Sequence, residues 1–494
     1  VDAVELALVT GRLAAACEEM GTVLIRSAHS PNIKERRDAS TALFDAQAQM
    51  VMQAEHIPVH LGAMPAAVAV VRELTENLPI QAWCGPDANA AFILNDPYAG
   101  GTHLPDITVI CPVLVAGEII GFAAARAHHA DVGSPTPGSM PADSRTLADE
   151  GVVISPRVLD DATIEELVAQ MRAPQQRRAD LRAQLAACQT GARRLAEIGV
   201  TGLDEVLTYA ERRTRAKLAA IPDGVYSAED VLELEAGELR LTLAATVAGD
   251  ELTLDFSGSA DQHDGNLNCP LAVTQSACYF AVKVLTDPDI PASSGAYRPV
   301  TVIAPRGSLL NARAPAAVAA GNVETSSRVA DLVLRAFGHA LGQGTMNNLT
   351  LGDESTVYYE TLGGGQGASA EADGPSAVHV AMSNTLNTPV EALELEYPMR
   401  MVRYEIRRDS GGAGGHRGGN GVIREIEALV PLTYSLITER RRVQPLGAEQ
   451  GQPGQTGRNS LDGEELPAKT TGVMQAGQRL RIETPGGGGY GQPQ

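Results

Sequence analysis

The stretch NDPYAGGTHLPD, residues 95–106, closes the apolar run Ala90–Leu94 and gathers Thr102, His103 and Asp106 on a glycine-containing loop. An imidazole and a carboxylate three positions apart make a nucleus for a divalent cation. Other ligands must then converge from distant segments, because one loop rarely supplies a full set. Pro105 biases Leu104 toward extended backbone, which disfavours a helix between them, and Gly100 and Gly101 let the loop fold back tightly. A third ligand is expected from ARAHHADVG, residues 125–133. On a strand, neighbouring side chains face opposite ways, so His128 and His129 do not easily meet the same ion, and one of them is left to a structural or supporting role. The fourth candidate is a carboxylate on an early loop, Asp38 of ERRDAS or Asp45 of LFDAQ. HIPVH, residues 56–60, holds a further histidine pair, but Pro58 keeps it off a helix face and the helical two-histidine zinc pattern fails. His56 and His60 are read as structural or substrate-contacting. A plainer explanation competes: such spacings arise by chance, and loop aspartates commonly close turns.

Other chemistries find less support. No G-x-x-x-x-G-K-[ST] phosphate loop and no G-x-S-x-G nucleophile elbow occurs. The glycine run GGAGGHRGGNG (411–421) lacks the strand–helix context of a phosphate cradle and reads as a tight packing loop or a subunit contact, and GGGQGA (363–368) and PGGGGYG (485–491) likewise read as structural. Six scattered cysteines without a C-x-x-C pair read as buried thiols of a reducing compartment, Cys269 included. A formal charge of −21 and 4% aromatic residues argue against nucleic acid as a partner. No apolar run approaches the ~20 residues of a membrane span, and the helical N-terminal pattern lacks the build of a signal peptide. The expected compartment is the cytoplasm.

The elements needed to position these residues follow from periodicity. Residues 4–28 carry a helical stripe of Leu6, Leu13, Cys17, Met20 and Leu24. TALFDAQAQMVMQ reads as two strands around a turn at Asp45–Ala46, and a helix follows HIPVH. AAFIL, DITVICPVLV, EIIGFAAARA and GVVISP read as strands, with VAGE (115–118) as a hairpin turn. Residues 161–220 predict consecutive amphipathic helices, Pro174 suiting a first turn. Strands are expected in LRLTLAATVAGDELTLDFSGSA, helices over 270–285 and 323–342, and a strand before a flexible glycine tail at the end. The fold class is α+β, with several subdomains, mixed or antiparallel sheets and a central helical segment. Its expected parts are an α+β metal-binding region at 1–160, a helical segment at 161–222, an α+β region at 223–400 and a glycine-rich, β-containing region at 401–494.

Eleven motifs in order resemble the hydantoinase B/oxoprolinase family: SPNIKERRDAS, HIPVHLGAM, NDPYAGGTHLPDI, RAHHADVG, DEGVVISP, GNLNCP, YRPVTVIAPRGSLLNARAPAAV, GNVETSSR, NTPVEALELEYP, DSGGAGGHRGGNGVIRE and TPGGGGYG. The resemblance covers essentially the whole chain. It implies a B (beta) subunit of an ATP-dependent hydantoinase, lactamase or oxoprolinase. A hydantoinase A-type partner would bind ATP and phosphorylate the substrate's carbonyl or enol oxygen, in a heterotetramer with two copies of each subunit. The resemblance further implies a divalent metal on Asp38, His103, Asp106 and His128, choosing Asp38 over Asp45 and His128 over His129. His129 and Asp131 would then orient ligands, and His56 and His60 would carry protons. Zinc, manganese and iron all accept two imidazoles and two carboxylates. Many relatives have an aromatic residue where this chain has Ala39, which bears on local packing or pocket shape. A ketone carboxylase subunit of the acetone or acetophenone type, or a non-catalytic enclosing subunit, is the alternative.

Overall fold

A computed structural model describes residues 2–54, 57–84 and 90–493. The chain is α+β, with four sheets among the described residues. The first sheet has the order β2-β1-β5-β4-β3-β6: β1 Ala39–Asp45, β2 Met50–Ala54, β3 Phe92–Leu94, β4 Asp106–Val115, β5 Glu118–His128 and β6 Arg157–Val158. Its pairings are antiparallel. Helix α1 (Ala3–Ser27) starts at a capping box, in which Asp2 accepts from the amides of Val4 and Glu5 while Glu5 reaches back. The expected stripe of Leu13, Cys17, Met20 and Leu24 is buried against this sheet. After the short turn α2 (Pro31–Lys34), helix α3 (Ala63–Asn77) covers the other face.

Alternation along β5 divides the two faces. Ala123, Ala125 and Ala127 pack under α1 and the later helix at 174–198, whereas Phe122 and Ala124 pack under α3. By the same alternation Arg126 and His128 lie on the α3 face, beyond its apolar part. The helices expected over 161–220 form as α4 (Asp161–Val168), α5 (Pro174–Ile198) and α6 (Leu203–Leu218), with Pro174 in the first turn of α5. α5 lies directly on β4 and β5.

The second sheet, β10-β9-β8-β7, is built from β7 Gly224–Glu233, β8 Glu238–Ala248, β9 Glu251–Asp255 and β10 Val300–Ile303, with β9 and β10 parallel. It shares a core with α7 (Leu271–Leu285) and, beyond the short α8 (Ser294–Tyr297), with α9 (Ser326–Ala336). A π-helical turn, Gly321–Thr325, precedes α9. The helix expected to run to 342 therefore ends at 336, where Gly338 takes φ 83°. Two further sheets share one core: β12-β11-β15-β18 and β13-β14-β19-β16-β17. Their strands are β11 Asn348–Gly352, β12 Val357–Glu360, β13 Met399–Arg407, β14 Gly421–Ala428, β15 Leu432–Ile437, β16 Arg458–Leu461, β17 Glu464–Leu466, β18 Lys469–Met474 and β19 Arg479–Glu483.

Two further expectations are corrected. GVVISP forms no strand apart from the two residues of β6 that follow it. The Asn95 side chain takes the place of a ladder, accepting from Ile154 N at 2.6 Å and donating to Val152 O at 3.0 Å and Leu104 O at 2.8 Å. The glycine tail is not loose. Residues 484–489 are buried, with Gly487 N donating to Gly419 O and Gly412 N to Gly487 O, both at 2.9 Å. A Cβ on Gly487 would lie 2.0 Å from Gln366 O, so only glycine permits this backbone-to-backbone contact. The glycine runs are thus packing loops. Among the described residues no helix is long and apolar enough to cross a membrane.

Candidate metal centre

Three adjacent strands of the first sheet begin or end at one edge, and their register assembles the site. Asp106, the first residue of β4, is the antiparallel partner of His128, the last residue of β5. His128 N donates to Asp38 O at 3.0 Å, just before β1 begins. Cross-strand neighbours share a face, so the Asp38, His128 and Asp106 side chains emerge on the same side. His103 reaches them from the preceding loop through a turn in which Asp106 N donates to His103 O at 3.1 Å. That loop is pinned at Gly100, whose φ is 93° and whose Cβ would meet Ala67 N at 2.3 Å. Buried Arg126 donates to Gly100 O at 2.9 Å.

Ligand atoms of His103, Asp106 and His128 lie within 4.8 Å of one another, all buried. Asp106 is the hub. Its Oδ2 accepts from Thr102 Oγ1 at 2.5 Å and lies 3.1 Å from His103 Nδ1 and 3.3 Å from His60 Nε2; its Oδ1 lies 3.3 Å from His128 Nδ1. The His103 contact is misaligned for a hydrogen bond, so both nitrogens of that buried ring, and Nε2 of His128, lack hydrogen-bond partners. Asp38 lines the same cavity, but its carboxylate lies 3.7 Å from the Arg36 guanidinium and is not one of the mutually close three. The cavity holds about 20 Å³, room for one ion or water. Unpartnered buried imidazole nitrogens ordinarily cost ~1–3 kcal/mol each; a divalent cation would accept their lone pairs. The donor set fits such an ion.

Burial opposes ionisation of Asp106, yet the charges of His103 and His60 outweigh it and hold the carboxyl well below the usual range. Burial lowers the pKa of His128, keeping its imidazole neutral as a metal ligand requires.

The family profile described as hydantoinase B/oxoprolinase matches residues 2–493. The chain belongs to the hydantoinase B/oxoprolinase family. It is 38% identical to 5-oxoprolinase 1 of Arabidopsis thaliana over 99% of its own length and 42% of that protein. It thus spans about two fifths of that relative's length. It is 32% identical to a Pseudomonas sp. (strain NS671) protein described as the B-type component of a D-/L-hydantoinase, covering 100% of this chain and 90% of that one. The crystal structure of ATP-dependent caprolactamase from Pseudomonas jessenii superposes with TM-score 0.92 at 29% identity, over 100% of this chain and 91% of that one.

The remaining candidates of this family member lie in distinct places. His56 falls outside the described residues. His60 sits in a 3-10 turn (Pro58–His60), with Nδ1 2.8 Å from Ser40 Oγ and Nε2 toward Asp106. His129 turns to the opposite side, its Nε2 2.7 Å from Gln184 Oε1 on α5; burial lowers its pKa to about 4. Asp131 accepts from the amides of Gly133, Gly138 and Arg172 and pairs with the Arg172 guanidinium at 3.0 Å, so these bonds fasten a loop. Asp45 closes the β1–β2 turn by accepting from the amides of Gln47 and Gln49. Ala39 belongs to the core under α1, on the face away from the cavity, so its exchange for an aromatic side chain concerns packing. Cys269 is buried and its thiol pKa is raised by burial.

Sequence reasoning missed Tyr359. Its ring stacks on His128 at 4.1 Å with 19° between planes, and the Arg36 guanidinium lies 4.7 Å from its centroid. Nothing in VYYE marks that tyrosine as special, since both tyrosines fit a buried strand. The π-helical turn contributes Asn322 and Val323 to the cavity, and such turns are frequent at functional sites.

Proposed function

We propose that this chain is the metal-holding B-type component of an ATP-dependent cyclic amide hydrolase. His103, Asp106 and His128, with Asp38 beside them, would hold a zinc, manganese or iron ion. The observation that carries this reading is the set of buried, unpartnered imidazole nitrogens gathered around one carboxylate. The cyclic amide class is supported by the names of the oxoprolinase, hydantoinase and caprolactamase relatives.

Amides resist hydrolysis because nitrogen donation makes the carbonyl a poor electrophile. Phosphorylation of its oxygen by an ATP-binding partner of the hydantoinase A type, with loss of the N–H proton, would turn the amide into an activated imidate with phosphate as its leaving group. The absence of a phosphate loop from this chain agrees with such a division of labour, in an assembly with two copies of each subunit. When bound, the cation supplies Lewis acidity, polarising a substrate oxygen and acidifying water. The chain's own residues do the positioning. Thr102 and His60 fix Asp106, Ser40 holds the far nitrogen of His60, and Tyr359 fixes the plane of His128. His60, facing the cavity, is the residue placed to carry a proton.

Co-expression with an A-type partner, followed by assay of ε-caprolactam, hydantoin and 5-oxoproline with and without ATP, tests this. Ring opening should require ATP and disappear in His103→Ala together with bound metal. Bicarbonate-dependent ATP consumption with a ketone would replace hydrolysis by carboxylation. Full turnover by the metal-free variant would reduce the chain to an enclosing scaffold, and turnover without ATP or partner would make it a self-contained hydrolase.

A further inference from the structure

The cavity at the histidine–aspartate cluster, about 20 Å³, accommodates an ion or a water and nothing larger. A cyclic amide needs far more room than one water, so its ring must sit elsewhere. A second cavity of about 370 Å³ shares Ser383 and Asn384 with the first. The turn at 57–61 also serves both, sending Ile57, Val59 and His60 into the inner cavity and Pro58 and Leu61 into the outer one. The partition is the irregular segment 379–385. It is stapled by the His379 ring, bonded to Ser383 Oγ through Nδ1 with Nε2 3.5 Å from Thr385 Oγ1. Two alanines in and beside it, Ala377 and Ala381, take left-handed backbone at φ 58° and 50°, a conformation costly for alanine that persists where surrounding structure enforces it.

We infer that this outer cavity is the subsite for the hydrocarbon ring of a small cyclic amide, with the Ser383–Asn384 wall marking the side on which its polar edge meets the inner cavity. The inference rests on the reading that the chain handles cyclic amides. Pro58, Leu61, Phe280, Val284 and Val380 supply an apolar lining, with Ser383 and Asn384 on the shared wall and Lys283, Gln366 and His379 as the other polar members. That combination of volume, apolar walls and a few polar groups is what small-molecule sites present.

Val284, 44% exposed on α7, can be enlarged without disturbing the core. Calorimetric titration of ε-caprolactam into the full chain should show binding, weakened about tenfold or more by Val284→Trp, while bound metal and melting temperature stay at wild-type values. Phe280→Ala, which widens the cavity, should shift preference toward larger rings. His103→Ala should lose metal yet keep caprolactam affinity within about threefold, because the ring does not touch that imidazole. Wild-type affinity in Val284→Trp, or no caprolactam binding by the wild type, would overturn the assignment. ATP-dependent ring opening with an unchanged KM in Val284→Trp would sink the subsite and leave the proposed function standing. Val284→Trp-sensitive binding without ring opening would do the reverse.

Discussion

Two clusters of buried charge in this chain have opposite character. Between the second sheet and the strands beyond it, Arg440 donates to Asp230 and Asp331 at 2.8 Å each, Arg328 donates to Asp230 at 3.2 Å and Glu439 at 3.3 Å, and Lys469 bonds Glu439. Acid and base are matched there: Asp230, Asp331 and Glu439 face Arg328, Arg440 and Lys469. Burial alone would raise the Asp230 pKa, and the two arginines bring it down to about 2. At the edge of the first sheet a single carboxylate, Asp106, is shared among three imidazoles, and three ring nitrogens lack partners. Both clusters leave buried nitrogens unpartnered, Nε of Arg328 and of Arg440 in the first and ring nitrogens in the second, but only the first pairs its charges with opposite ones. A buried network whose charges are matched explains packing, whereas one that leaves imidazole lone pairs aimed into a void calls for a ligand.

The largest expected effect breaks the charge-matched cluster. Arg440→Met leaves Asp230 and Asp331 facing each other in the interior, and removal of one partner of a buried pair costs ~3–5 kcal/mol. Denaturant unfolding should show that loss, while the folded fraction should bind added metal as the wild type does. Unchanged stability would mean that the network is not what joins these elements. In the incomplete cluster the expectation inverts. His103→Ala removes a ring whose nitrogens have no hydrogen-bond partner, although its charge supports the ionised Asp106 and its bulk fills buried space, so the metal-free protein should lose less stability than Arg440→Met does. Metal affinity, measured by chelator competition, should fall at least about a hundredfold. A large stability loss without an affinity loss would place His103 among structural histidines.

The same contrast explains how far the sequence was legible. The opposition of His128 and His129 follows from strand alternation, and the structure sends one ring to Asp106 and the other to Gln184. The stripe of α1 and the turn at Asp45 are likewise local consequences of periodicity and turn chemistry. What stayed hidden depends on pairing across the chain. His60 lies 46 residues from Asp106, and Tyr359 comes from another sheet altogether. The apolar pattern of GVVISP is a good strand signal, but a distant asparagine side chain occupies the hydrogen-bonding groups that a ladder would use. The buried glycine tail is invisible to periodicity because its packing uses backbone alone.

A smaller effect sharpens the comparison at Tyr359. If stacking holds the His128 ring in plane, Tyr359→Leu should weaken metal binding by roughly tenfold, in the range for residues that orient ligands. Tyr359→Phe, which keeps the ring and loses only the hydroxyl that accepts from Asn348 at 3.0 Å, should stay close to wild type. Equal losses in both variants would shift the role from ring to hydroxyl.

Glu150 stands between the two kinds of cluster, a fully buried carboxyl whose hydrogen bonds come from neutral donors. It accepts from the amides of Val318 and Ala319 and from Ser144 Oγ. Burial raises its pKa to about 7, and those donors only partly offset the rise. Below pH ~4.5, the ordinary glutamate value, folded and unfolded states both carry the proton and this group contributes its full share to stability. As pH rises from there to about 7 the unfolded state releases the proton while the folded state keeps it, so stability declines through that window. Glu150→Gln has no proton to lose. Relative to wild type it should gain stability as pH rises, reaching on the order of 1 kcal/mol near neutrality, since the new amide N–H groups need acceptors and cancel part of the gain. Parallel stability–pH curves for the two proteins would show that Glu150 is ionised when buried, and would make it a second unmatched charge.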